Sequence, residues 1–66
     1  MEHRSALVGR KIRVLSLEFA VVSWDGKRRR YILRNTRTRH EHALPGVELD
    51  QYLADPLLKD KIQIIN

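Results

Sequence analysis

The stretch Val21-Val22-Ser23-Trp24-Asp25-Gly26-Lys27-Arg28-Arg29-Arg30-Tyr31-Ile32-Leu33 decides how this chain folds. Asp-Gly between two runs of β-branched and aromatic residues signals a β-hairpin, because both residues tolerate the backbone of a tight turn. The pattern predicts a strand over residues 19–24, a turn at Asp25-Gly26 and a return strand that carries Lys27, Arg28, Arg29 and Arg30 before Tyr31. With a two-residue turn, Trp24 pairs with Lys27, Val22 with Arg29 and Ala20 with Tyr31. A three-residue loop with a glycine bulge shifts every one of these pairs. In either register, four consecutive cations ride on a ribbon beside Trp24 and Tyr31. Such a ribbon presents charge and flat rings to a polyanion.

Upstream, residues 10–17 begin with clean alternation. Ile12 and Val14 fall on one side and Lys11 and Arg13 on the other, the period of a half-buried strand. Gly9 ends a short N-terminal arm, and Glu18, alone among the acids of this region, marks a bend or a bulge. Downstream, residues 35–44 read either as an exposed loop or as an edge strand. In the second reading Thr36, Thr38, His40 and His42 alternate with Arg37, Arg39 and Glu41, and charge on an edge discourages unwanted pairing. Pro45-Gly46 punctuates the chain, Asp50 is expected to cap a short helix through Tyr52 and Leu53, and Asp55-Pro56 opens a further turn with Leu57 and Leu58. Residues 61–65 read as a closing strand.

The expected fold class is mainly β with a short α element. It is a small antiparallel sheet or a curled barrel, with a C-terminal helical turn and a closing strand. One small domain over residues 1–66 is expected, with residues 1–9 as a flexible arm. The outline resembles the Src-homology-3-like, Tudor-like and Sm-like small barrels, and residues 21–27 are similar to their strand–turn–strand element. That likeness implies a fold and transfers no functional residue.

Size and composition narrow the function. A chain of 66 residues buries only roughly 60% of the surface its unfolded form exposes, so a homodimer is an expected source of extra stability. Without cysteine there is no disulfide and no four-thiolate zinc site, which fits the cytoplasm. No apolar run approaches the roughly 20 residues that cross a bilayer, and no signal peptide is visible, so a soluble protein is expected. Charge is uneven: residues 1–44 hold 11 Lys/Arg against 4 acids, or +7, whereas residues 45–66 hold 2 against 4, or −2. A basic body with a mildly acidic tail draws an anion to one side.

The candidate contact residues are Lys27, Arg28, Arg29 and Arg30 on the ribbon, Arg34, Arg37 and Arg39 after it, and Arg10, Lys11 and Arg13 on the first strand. Phosphate contacts by such side chains supply much of nucleic-acid affinity, and a ribbon can enter a major groove. Trp24 and Tyr31 are candidates for stacking on bases, with a core role as the alternative for each. His40 and His42 fall short of a metal ligand set, since zinc takes three or four protein ligands. They read as surface histidines. No cofactor is implied, and neither a nucleophile motif nor a glycine-rich phosphate loop is present.

The sequence therefore predicts a non-enzymatic nucleic-acid-binding protein, with DNA slightly favoured over RNA. A role as a regulator or accessory factor of a phage or other mobile element is suggested by size and basicity alone. The alternative is a protein-interaction module whose hairpin or uncovered sheet edge binds an acidic protein partner, or which self-associates, with Tyr52, Leu53, Leu57 and Leu58 either as a docking or dimer face or as ordinary core on the sheet.

Overall fold

The computed structural model describes residues 4–58 and 60–65. A 3-10 turn over Arg4–Leu7 precedes strands β1 (Lys11–Val14), β2 (Leu17–Asp25), β3 (Arg30–Asn35) and β4 (Glu41–Pro45). Helix α1 (Gly46–Ala54) and strand β5 (Ile62–Ile64) follow. The strands form one antiparallel sheet in the order β4-β3-β2-β1-β5. Its first four strands are a meander, and β5 returns to pair with β1. The sheet is not closed: β4 and β5 are its two edges, and α1 touches both.

Alternation decides which face is buried. In β1, Ile12 is 1% exposed while Lys11 and Arg13 are open to solvent, as the sequence predicts. In β3, Tyr31, Leu33 and Asn35 point inward, and Arg30, Ile32 and Arg34 lie on the outer face. Leu49 from α1 and Ile62 from β5 complete the buried cluster, with Leu7, Phe19, Trp24 and Tyr52 packed around it. Each fully buried large side chain here contributes about 1.5–3 kcal/mol relative to leaving it exposed.

The hairpin forms, but not in the two-residue register. Trp24 pairs with Tyr31 and Asp25 with Arg30, so the loop is residues 26–29. Farther in, Val21 pairs with Leu33 while Ser23 pairs with Ile32, which leaves Val22 as an extra residue in β2. The bulge therefore falls at Val22 rather than at Glu18. One inserted residue reverses the alternation of everything after it. Trp24 would otherwise face outward with Val22; the bulge turns it inward, where its ring lies 4.6 Å from that of Tyr31 at 56°.

The remaining expectations resolve locally. Residues 36–40 are a loop and the edge strand is β4, so both readings of this segment hold for different parts of it. The helix starts at Gly46, a turn earlier than the Asp50 cap implies. Pro45 occupies the N-cap position at φ −57° and ψ 138° without a side-chain cap, and the Gly46 N–H donates to the Arg29 carbonyl at 2.9 Å. Proline presets a φ that suits both the end of β4 and the entry to α1, and the hairpin loop supplies the acceptor. Within the helix, Tyr52 donates to Glu48 one turn earlier, a bond that raises the phenol above its ordinary pKa. Asp55, held extended before Pro56, ends the helix, and its carboxylate accepts from Leu57 N at 2.9 Å in a simple turn. Of the N-terminal arm, residues 1–3 lie outside the described residues. Leu7 packs against the core, and Gly9, at φ 91°, donates to the Val21 carbonyl. No helix among the described residues is long and apolar enough to cross a membrane.

Candidate nucleic-acid interface

The bulge and the register together place the basic residues. Lys27, Arg28 and Arg29 are not strand residues but form the β2–β3 loop with Gly26, and only Arg30 belongs to β3. Asp25 builds this loop. Its carboxylate Oδ1 accepts from Lys27 N at 3.1 Å and from Arg28 N at 3.3 Å, and Oδ2 lies 3.6 Å from Arg30 Nε. Arg29 closes the loop with a left-handed backbone, φ 54°.

The β3–β4 loop repeats the same construction ten residues later. Asn35 Oδ1 accepts from Arg37 N at 2.9 Å and from Thr38 N at 3.0 Å. Arg39 is left-handed at φ 69°, and its N–H donates to the Asn35 carbonyl at 2.8 Å. The Asn35 N–H in turn donates to the His40 carbonyl at 2.9 Å, closing the hairpin. Short polar side chains that bond the backbone two and three residues on are a recognised way to fold a turn. Arginine in the left-handed region is less common; the conformation costs a non-glycine residue roughly 1–2 kcal/mol. Both loops accept that cost at the same position. Lys27 thus corresponds to Arg37, Arg28 to Thr38 and Arg29 to Arg39.

The cations on the outer sheet face behave differently. Lys11 lies 3.6 Å from Glu18, Arg34 donates to Glu41 at 2.8 Å, and Arg30 sits against Asp25. Among the described residues, no ion pair engages Arg10, Arg13, Lys27, Arg28, Arg37 or Arg39, all of which are exposed. Arg13 projects from β1 opposite Glu18, near the end of the sheet that carries Arg37. Arg10 precedes β1, and its carbonyl accepts from Val21 N at 2.8 Å. Of the ten predicted cations, Lys11, Arg30 and Arg34 are ion-paired on the outer face, Lys27, Arg28, Arg29, Arg37 and Arg39 lie in two loops at opposite ends of β3, and Arg10 and Arg13 are exposed outside both groups.

The aromatic residues have structural places. Tyr31 is 1% exposed and offers no face to a base, because the bulge and the pairing with Leu44 hold it inside. Trp24 is half-buried against the same core. His42 pairs with Leu33 and meets the Phe19 ring edge-on, centroids 5.9 Å apart, so it belongs to the inner face rather than to a basic loop. His40 follows the loop, its N–H donating to Thr38 Oγ1 at 3.3 Å. No group of three His, Cys, Asp or Glu among the described residues is placed to hold a metal ion.

Two hollows border these elements. A polar notch of about 260 Å³ lies beside Arg37, between Ser16, Glu18 and Thr36. An apolar groove of about 220 Å³ runs between α1 and the inner face, past Phe19, His42, Leu49 and Tyr52. Of the predicted docking face, Tyr52 is in the core periphery, whereas Leu57 is 82% exposed. Sequence reasoning missed Asn35, a buried polar residue that organises the second loop. The signal for it was the shared spacing of Asp25-Gly26-Lys27-Arg28-Arg29 and Asn35-Thr36-Arg37-Thr38-Arg39. The chain matches no family model, no curated protein and no solved structure.

Proposed function

We propose that this chain is a small non-enzymatic nucleic-acid-binding protein, with DNA favoured over RNA, acting as a regulatory or accessory factor. The observation that carries the reading is the distribution of charge: among the described residues, four of the six exposed candidate cations outside ion pairs, Lys27, Arg28, Arg37 and Arg39, sit on two loops closed by side-chain hydrogen bonds. Phosphate recognition needs only such cations, held where counterions can be displaced. On the outer sheet face Lys11, Arg30 and Arg34 are already matched, and Arg13 is the cation there outside an ion pair. The open sheet is read as a relative of Src-homology-3-like and Sm-like barrels in architecture.

Fluorescence-anisotropy titrations against matched single-stranded DNA, duplex DNA and RNA, at low and at physiological salt, test this. The reading expects saturable binding that weakens steeply with salt and ranks duplex DNA first. Absence of binding to all three at low salt would remove it. A second reading, docking of a protein partner, draws on the apolar groove under α1. Binding through that groove would survive high salt, which separates the two.

A further inference from the structure

We propose that the two loops act together as a two-point clamp on one duplex, so that binding requires a minimum duplex length. The inference rests on the nucleic-acid reading above and goes beyond it in specifying how the ligand is held. Its basis is that the loops are copies of one another. Each is closed by an Asx side chain that accepts from the second and third residues on, and each ends in a left-handed arginine. Each also presents a cation, Lys27 or Arg37, at the same step of the turn.

Strand β3 fixes their separation. Its six residues span about 17 Å at the usual strand rise of ~3.4 Å. The longest extent of the whole molecule, 29 Å, sets the upper limit. Phosphates recur every ~3.4 Å along one strand of a duplex, so this interval corresponds to about five to nine base pairs. Between the loops lies the sheet face that α1 does not cover. Three of its cations are matched, as Arg30–Asp25, Arg34–Glu41 and Lys11–Glu18, Arg13 on β1 is not, and its middle row is Ser23, Ile32 and Ala43. The unmatched charge on this face is Arg13, near the end that carries Arg37, so the middle of the face attracts phosphate little. A ligand is held at the two ends of β3 or at one of them. Two fixed points a set distance apart suit a stiff polyanion, whose second contact forms at high effective concentration once the first is made.

The test uses duplexes of 6, 9, 12 and 18 base pairs with the wild-type chain, a β2–β3 loop variant (K27Q/R28Q) and a β3–β4 loop variant (R37Q/R39Q). The clamp predicts a step in wild-type affinity of at least 10-fold between the 6- and 12-base-pair duplexes, with little further gain at 18. On the 12-base-pair duplex either variant loses most of that step, whereas on the 6-base-pair duplex either loses only a few-fold, because the other loop substitutes. Circular dichroism of each variant verifies that the fold is kept, and R39G provides a second β3–β4 variant whose backbone is relieved rather than strained. Affinity that rises only in proportion to the number of overlapping sites, or that responds to one loop alone, overturns the clamp and leaves the nucleic-acid reading standing. Failure to bind any duplex at low salt overturns both. Equal binding of polyglutamate of matched length also overturns the clamp, since a flexible acidic chain needs no fixed spacing.

Discussion

The two hairpin loops share a backbone but differ in the side chain that builds them. Asp25 closes the β2–β3 loop with a carboxylate, so four neighbouring cations, Lys27 to Arg30, surround one anion. Asn35 closes the β3–β4 loop with a neutral amide, and nothing in that cap offsets Arg37 and Arg39. Surroundings differ as well. Asn35 is 8% exposed and buried beside the polar notch, whereas the bonds of Asp25 to Lys27 and Arg28 lie at the exposed tip. The first loop is also tied to the start of α1 through Gly46 and Arg29. One device thus serves two balances: an exposed anionic cap that tempers a dense cluster of charge, and a buried neutral cap that leaves a sparse one at full strength.

The largest effect should come from stripping both loops. The combined variant K27Q/R28Q/R37Q/R39Q is expected to lose duplex affinity by about 100-fold or more at low salt, as each lost phosphate contact also removes its counterion release. Anisotropy measures the loss, and unchanged circular dichroism shows that it is not unfolding. A loss under about three-fold would mean that the loops are not the contact surface.

Next in size is the difference between the two caps. Asn35→Ala strands the amides of Arg37 and Thr38 in a part-buried setting and should cost ~2 kcal/mol, within the range for unsatisfied buried donors. Asp25→Ala leaves its amides to water and should cost ~1 kcal/mol or less. Urea unfolding of the two variants decides the order, and equal costs would erase the distinction between a buried and an exposed cap.

A smaller change sharpens the comparison from the other side. Asp25→Asn gives the first loop the cap of the second, keeping both backbone bonds while removing the anion. Stability should move by no more than ~0.5 kcal/mol, and duplex affinity should rise about three-fold as one repulsion with phosphate is lost. Weaker binding would show that the carboxylate positions Arg30 for contact.

The smallest expected effect is on the left-handed arginine. Arg39→Gly relieves the backbone but loosens the unfolded chain, so a net gain of only ~0.5 kcal/mol is expected. Thermal unfolding reports the gain and anisotropy reports the accompanying few-fold loss of affinity. A clear destabilisation would instead assign Arg39 a structural contact.

Much of the sheet was legible because alternation was unambiguous where polar and apolar residues took turns. Lys11-Ile12-Arg13-Val14 could be read directly, as could the closing strand and the existence of the hairpin. The bulge could not. Val21 and Val22 are both apolar, so Val22 as the extra residue leaves no mark in the pattern, yet it decides that Trp24 faces the core beside Tyr31. The helix start was hidden for a different reason. Pro45 is not a side-chain cap, and the acceptor for Gly46 N–H comes from Arg29, distant in sequence. For the site, the identities of the exposed cations were visible, but their separation into two ends of β3 depends on a register that only tertiary packing fixes.

The most direct test of the account is the salt dependence of wild-type binding to one duplex of 12 to 18 base pairs. With about four phosphate contacts shared between the loops, the logarithm of affinity should fall linearly with the logarithm of salt, with a slope near −3.6. No saturable binding at low salt, or a slope close to zero, would contradict it.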